Sequence, residues 1–121
     1  MAANNWGRIV NVASLFSFLT KVGRGPYSAS KAGLLGMTRA AAVEWAKGGV
    51  LVNAISPGFI DTDLTRKNNT QEAINLIVGQ IPIGRLARPS ELFPLVRFLI
   101  SEENTYITGQ NFVIDGGFSI T

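Results

Sequence analysis

Three short apolar runs, each closed by a turn and spaced by helix-length segments, constrain this chain more than anything else in it. Arg8-Ile-Val-Asn-Val-Ala13 is β-branched and mostly apolar between Gly7 and Ser14. Val50-Leu-Val-Asn-Ala-Ile55 runs into Ser56-Pro57-Gly58, and Asn111-Phe-Val-Ile114 stops at Asp115-Gly116-Gly117, a plain turn. Runs this short and this apolar predict buried strands, as in parallel sheets. The segments between them supply the crossovers. From about Ser28 to Lys47 the spacing is helical, with Ala32, Leu35, Thr38, Ala42 and Trp45 on one face and Gly48-Gly49 as the stop. Further helices are predicted over about Gln71 to Val78 and about Ser90 to Ile100, with Pro94 an interior residue that should bend the latter. Strand, helix, strand, helices, strand is a succession of βαβ units, so the fold class is α/β. Three strands make a thin sheet, and the first leaves an edge of unpaired N–H and C=O groups.

The 121 residues make one domain at most, with no repeat or long linker. With no cysteine, a disulfide scaffold, a thiolate nucleophile and a thiolate metal site are all excluded. With no histidine, Ser-His-Asp and Cys-His triads are excluded too, and a metal would have only carboxylates; none is expected. Eleven Lys and Arg against eight Asp and Glu give a net charge of +3, but the cations are scattered, which argues against a nucleic-acid partner. No apolar run approaches membrane-spanning length and no leader pattern opens the chain, so the expectation is a cytoplasmic protein without a membrane partner. Chemistry falls to Ser, Tyr, Lys, Asp, Glu or the backbone.

Tyr27 and Lys31 are four residues apart at the start of the long helix and share a face. A phenol titrates near pH 10, too high for acid–base work at neutrality. A fixed ammonium favours the phenolate, and a shift of about three units needs about 4 kcal/mol of differential stabilisation. Ser14 follows the first strand, at the carboxyl end where open parallel sheets place their ligands, so its hydroxyl could bond an oxygen that Tyr27 protonates. Each residue also has a plain structural role open to it: Tyr27 an aromatic at the core edge, Lys31 a solvated helix residue, Ser14 a turn former.

Taken together, Ser14, Tyr27-Ser-Ala-Ser-Lys31-Ala-Gly33 and Val52-Asn53-Ala-Ile-Ser-Pro57-Gly58-Phe-Ile-Asp-Thr62 resemble the short-chain dehydrogenase/reductase family. Ile81-Pro-Ile-Gly-Arg85, Arg88-Pro89-Ser-Glu91, Tyr106-Ile-Thr-Gly-Gln110 and Val113-Ile-Asp115-Gly-Gly117 agree in order and spacing, so the resemblance runs from about Trp6 to Ser119. It implies the C-terminal part of a Rossmann-like doubly wound parallel sheet. It implies NAD or NADP as cofactor and a small carbonyl or alcohol as substrate. Tyr27 would be the general acid–base. Lys31 would hold the nicotinamide ribose and lower the Tyr27 pKa, and Ser14 would orient the substrate oxygen. Pro57, Gly58, Ile60 and Thr62 would pack around the nicotinamide and its carboxamide.

Family members run to about twice this length. Their Gly-rich turn that seats the pyrophosphate, and the residue choosing NAD or NADP, have no counterpart here. The expectation is a single incomplete domain over residues 1–121, inactive alone, with the alternative of a non-enzymatic half-domain that works by self-association or partner binding. The exposed first-strand edge and the small residues Ala29, Gly33, Gly36 and Ala40 on the long helix point to a homo-oligomer. Ser17 stands where many relatives have Gly, and Phe16-Ser17-Phe18 should reshape the pocket. Lys21 and Arg24 lie in the loop before Tyr27; they could favour an anionic or sugar-acid substrate or be ordinary solvated charge.

Overall fold

The structure is a computed structural model that describes residues 1–121, the side chain of Ala2 apart. Its sheet has three parallel strands: β1 (Gly7–Val12), β2 (Val50–Pro57) and β3 (Asn111–Ile114), in that spatial order. β1 and β2 pair from Gly7 opposite Val50 to Val12 opposite Ile55, and β2 and β3 from Ala54 opposite Asn111 to Pro57 opposite Ile114. The fold is the expected α/β arrangement with helices in every crossover. Only β2 is buried along its length, as an apolar run predicts. β1 is half-buried and ends at Val12, 54% exposed, because it forms one edge of the sheet.

Helix α1 (Gly25–Trp45) covers the sheet face that presents Ile9, Val50 and Val52. It starts three residues earlier than the spacing predicts, since Pro26 suits the first turn, where no amide partner is needed. Its buried residues are Thr38, Ala41 and Ala42, while Ala32 and Trp45 of the predicted face are exposed. Small residues at 41 and 42 let the helix approach β2 closely, and on the β1 side the Asn11 side-chain amide donates to Thr38 Oγ1 at 2.9 Å. Gly49 then takes φ +72°, a left-handed conformation in which any Cβ would also run into the Asn5 carbonyl.

After β2 come α2 (Asp63–Asn68), α3 (Gln71–Val78) and α4 (Phe93–Ile100). α3 falls where predicted. α2 escapes the periodicity because one and a half turns carry too few residues to show a period. Its signal is in the caps: the Thr62 hydroxyl accepts from the Thr65 amide at 3.2 Å, with Asp63 in the first turn and Arg66 and Lys67 in the last. Pro94 is not interior and bends no helix. A 3₁₀ turn over Pro89–Leu92 precedes α4 and places Pro94 in the first turn. Among the described residues, no helix is long and apolar enough to cross a membrane.

The entry to α4 is clamped by charge. Arg85 donates twice to Glu91 (2.8 and 2.7 Å), and the Arg88 amide donates to the same carboxylate at 2.7 Å. These bonds, the Arg85 guanidinium first, hold the Glu91 carboxyl down at about 2, from its ordinary value near 4.5. A depressed pKa adds stability above the unfolded value and loses it as pH falls through the folded one. Glu91→Gln should therefore unfold at lower urea than wild type at pH 6, with the gap closing between pH 4.5 and about 2. Urea midpoints across that range check this; a gap that survives at pH 2 would place the effect in packing instead.

Candidate active site

The carboxyl ends of β1 and β2 lie side by side, and the segments leaving them wall a cavity of about 280 Å³. β1 leads into it through Ala13, whose amide donates to the Ile55 carbonyl at 2.8 Å and extends the ladder by one residue. Ser14, 7% exposed, is extended and caps the 3₁₀ turn Leu15–Ser17. The Phe16 amide donates to Ser14 Oγ at 3.2 Å, which uses the hydroxyl as an acceptor and leaves its own hydrogen to give. Ser17 Oγ donates to the Ser14 carbonyl at 2.6 Å and lies 3.4 Å from Ser56 Oγ of β2. The Ser17 side chain thus anchors the turn to the sheet and does not line the cavity. Of the aromatic pair beside it, Phe16 lines the cavity, while Phe18 lies outside the wall, half in solvent.

Tyr27 enters the cavity from the first turn of α1. Its ring meets Phe16 edge-on, 6.3 Å between centroids at 74°, and its hydroxyl makes no hydrogen bond among the described residues. Lys31, one turn later, sets its Nζ 5.8 Å from the centre of the Tyr27 ring and donates to the Val12 carbonyl at 2.7 Å. The last carbonyl of β1 therefore fixes the ammonium beside the phenol, at the rim of the cavity rather than in its wall.

From the other side, Gly58 lines the cavity just after β2, its amide donating to the Ile114 carbonyl at 2.9 Å. A Cβ there would stand 2.7 Å from Asp115 Cβ and 2.9 Å from Asp115 Cα, so only glycine lets β2 pass the end of β3. Burial pushes the Asp115 carboxyl up, but bonds from Ser119 and the Gly117 amide outweigh it and leave the group below its ordinary range. Pro57, Ile60 and Thr62 do not face the cavity. Ile60 bridges Ala87 and gives its carbonyl to the Thr65 hydroxyl, while the Thr62 hydroxyl is committed to capping α2.

The structure thus brings Ser14, Tyr27 and Gly58 to one cavity, with Lys31 adjoining. The far wall is one that sequence reasoning missed: Leu64, Thr65, Asn68 and Asn69 from α2 and its end, and Ile77 from α3. The Thr62–Asp63 cap was the available signal for that wall.

Comparison with known proteins agrees with this architecture. A family profile described as enoyl-(acyl carrier protein) reductase matches residues 1–119. The chain is 45% identical over 117 residues to a 3-oxoacyl-(acyl-carrier-protein) reductase of Aquifex aeolicus, covering 97% of this chain and 47% of that protein. It is 42% identical over 117 residues to the corresponding reductase of Pseudomonas aeruginosa, again 97% of this chain and 47% of that one. Among solved structures it is similar to a gluconate 5-dehydrogenase from Burkholderia cenocepacia in complex with NADP and tartrate. That match has a TM-score of 0.93 at 28% identity and covers 99% of this chain and 48% of that one. The chain spans about half the length of the curated relatives it matches. A three-stranded parallel sheet with a serine, a tyrosine and a lysine gathered at its carboxyl edge, matched over nearly every residue by these enzymes, places the chain in the short-chain dehydrogenase/reductase family.

Proposed function

We propose that residues 1–121 carry the acid–base half of an NAD(P)-dependent oxidoreductase that interconverts a small carbonyl compound and its alcohol. The observation that carries the reading is the convergence of Ser14 and Tyr27 on one cavity, with Lys31 fixed on the Val12 carbonyl beside them. The nicotinamide cofactor supplies or accepts the hydride at carbon. Charge then has to be balanced at oxygen, and Tyr27 Oη, free of any internal partner among the described residues, gives or takes that proton. Ser14 donates its remaining hydrogen to the same oxygen, polarises the carbonyl and orients it. Lys31 has two donors beyond the one spent on Val12, enough to hold ribose hydroxyls and to keep positive charge near the phenol. Gly58 lets β2 pass the end of β3 and sets its backbone in the cavity wall.

Lys31 thus fits the nicotinamide end of the cofactor. The pyrophosphate end is not provided for: residues 1–121 contain no G-x-G-x-x-G segment between a strand and a helix. We therefore read residues 1–121 as one incomplete domain. A nucleotide-binding half, on the same polypeptide or a partner, joins it at the open edge of β1 and restores activity. NADP, bound in the Burkholderia relative, is the first cofactor to try. The same open edge also suits a second reading, in which β1 pairs with its copy across a two-fold and the chain acts by self-association.

One experiment weighs these readings. Residues 1–121 are titrated with NADH and NADPH, following energy transfer from Trp6 and Trp45, alone and fused to the nucleotide-binding half of the Aquifex reductase, with molar mass read by light scattering. We expect no saturation below about 1 mM for the chain alone, and micromolar binding with turnover of a simple 3-oxo ester for the fusion. Saturation below about 100 μM by the chain alone would overturn the division of labour. A fusion that binds cofactor but reduces no ketone would overturn the oxidoreductase reading.

A further inference from the structure

We propose that the substrate of this cavity carries a carboxylate, held by Lys21 and Arg24 while Ser14 and Tyr27 face its carbonyl; the inference rests on the oxidoreductase reading. Both cations line the cavity. They close on a single ring: Lys21 Nζ lies 5.9 Å and the Arg24 guanidinium 5.7 Å from the centre of Phe16, and Arg24 is also 5.9 Å from the centre of Tyr27.

Local backbone structure forces this convergence. The Arg24 amide donates to the Lys21 carbonyl at 3.1 Å, and Gly23 takes φ +80°, so Lys21 and Arg24 stand at the two ends of one tight turn. A Thr20–Ser28 hydroxyl contact of 3.2 Å ties that turn to α1. Both cations are solvent-exposed in the cavity wall, open to an anion that enters it.

No anion of the protein does so. Among the described residues the ion pairs are Arg66–Asp61, Arg85–Glu91 and Arg88–Glu91, and the cavity wall contains no Asp or Glu. The positive end of α1 opens beside the same wall, with no acidic residue in its first turn and no side-chain cap on its amides. The site therefore has a guanidinium fork, an ammonium and a helix terminus but no counter-charge. Phe16 is a positioning residue in this arrangement: both cations lie within cation–π reach of its ring in the cavity wall. A volume of about 280 Å³ suits an acid of a few carbons.

The test separates charge from shape. The 121-residue chain is titrated with 3-hydroxybutanoate and with its methyl ester, following the amide NMR signals of Phe16, Arg24 and Tyr27. The acid should bind about tenfold tighter than the ester, an advantage that shrinks as NaCl rises from about 20 to about 500 mM. Lys21→Gln with Arg24→Gln should bring the ratio to about one, and Arg24→Lys should restore part of it. Equal affinities, a preference that survives the double substitution, or no saturable shift by about 50 mM would overturn the inference. Anion preference without turnover in the fused enzyme would strike the oxidoreductase reading alone, and turnover without the preference would strike this one.

Discussion

Tyr27→Phe in the fused enzyme should lower kcat by about 10³-fold and leave the urea midpoint of residues 1–121 unchanged. The separation of the two effects follows from the geometry. The Tyr27 ring does the packing, edge-on to Phe16 and under the Arg24 guanidinium, and phenylalanine keeps both contacts. The hydroxyl has no internal partner among the described residues, so removing it costs the fold nothing that burial or bonding had provided. The proton at the substrate oxygen, by contrast, loses its source. Steady-state kinetics beside denaturation curves check both halves of the claim. A kcat within threefold of wild type would remove Tyr27 from the chemistry, and an equal loss of stability would make it a packing residue.

That separation also marks what was legible in the sequence. The serine, tyrosine and lysine could be read because their spacing is local: Tyr27 and Lys31 share one helix turn, and Ser14 ends a strand whose apolar run is plain. The parallel βαβ arrangement was legible for the same reason, through the alternation of short apolar runs with helical stretches. Misreadings concentrate where tertiary contacts decide. The predicted α1 face includes Ala32 and Trp45, yet the helix buries Thr38, Ala41 and Ala42, because only its C-terminal half crosses β2. Pro94 looks like an interior kink until the preceding 3₁₀ turn moves the start of α4 to meet it. Pro57, Ile60 and Thr62 stand at and after the end of β2 at the family's spacing, a local feature that the sequence shows, whereas the Thr62 cap on α2 is seen only in the structure.

Asn53 is the residue whose importance is hidden most completely in the sequence, where it is one polar letter in an apolar strand. Asn53→Leu should cost about 3 kcal/mol and move the urea midpoint by roughly 2 M. Asn53 is 1% exposed in the central strand, and its side chain clasps the segment that leads into β3. Its Nδ2 donates to the Ile107 carbonyl at 2.8 Å, and its Oδ1 accepts from the Gln110 amide at 3.0 Å. Leucine has similar bulk, so the cost is polar rather than a cavity. The Ile107 carbonyl keeps a bond from Asn104 Nδ2 at 3.1 Å, whereas the Gln110 amide would be left without a partner. Against a total of about 5–15 kcal/mol for a domain, this is a large fraction. The damage should also reach the active site. The Gly109 amide donates to the Val52 carbonyl at 2.7 Å and the Ala54 amide to the Gln110 carbonyl at 2.8 Å, so the clasp sets where β3 meets β2. Where β3 meets β2 decides how closely Asp115 stands to Gly58 in the cavity wall. Hydrogen exchange should accelerate first at Gly109 and Ala54 and then at Gly58. A midpoint within about 0.3 M of wild type, with exchange unchanged at those amides, would show that the segment is held by its backbone bonds alone.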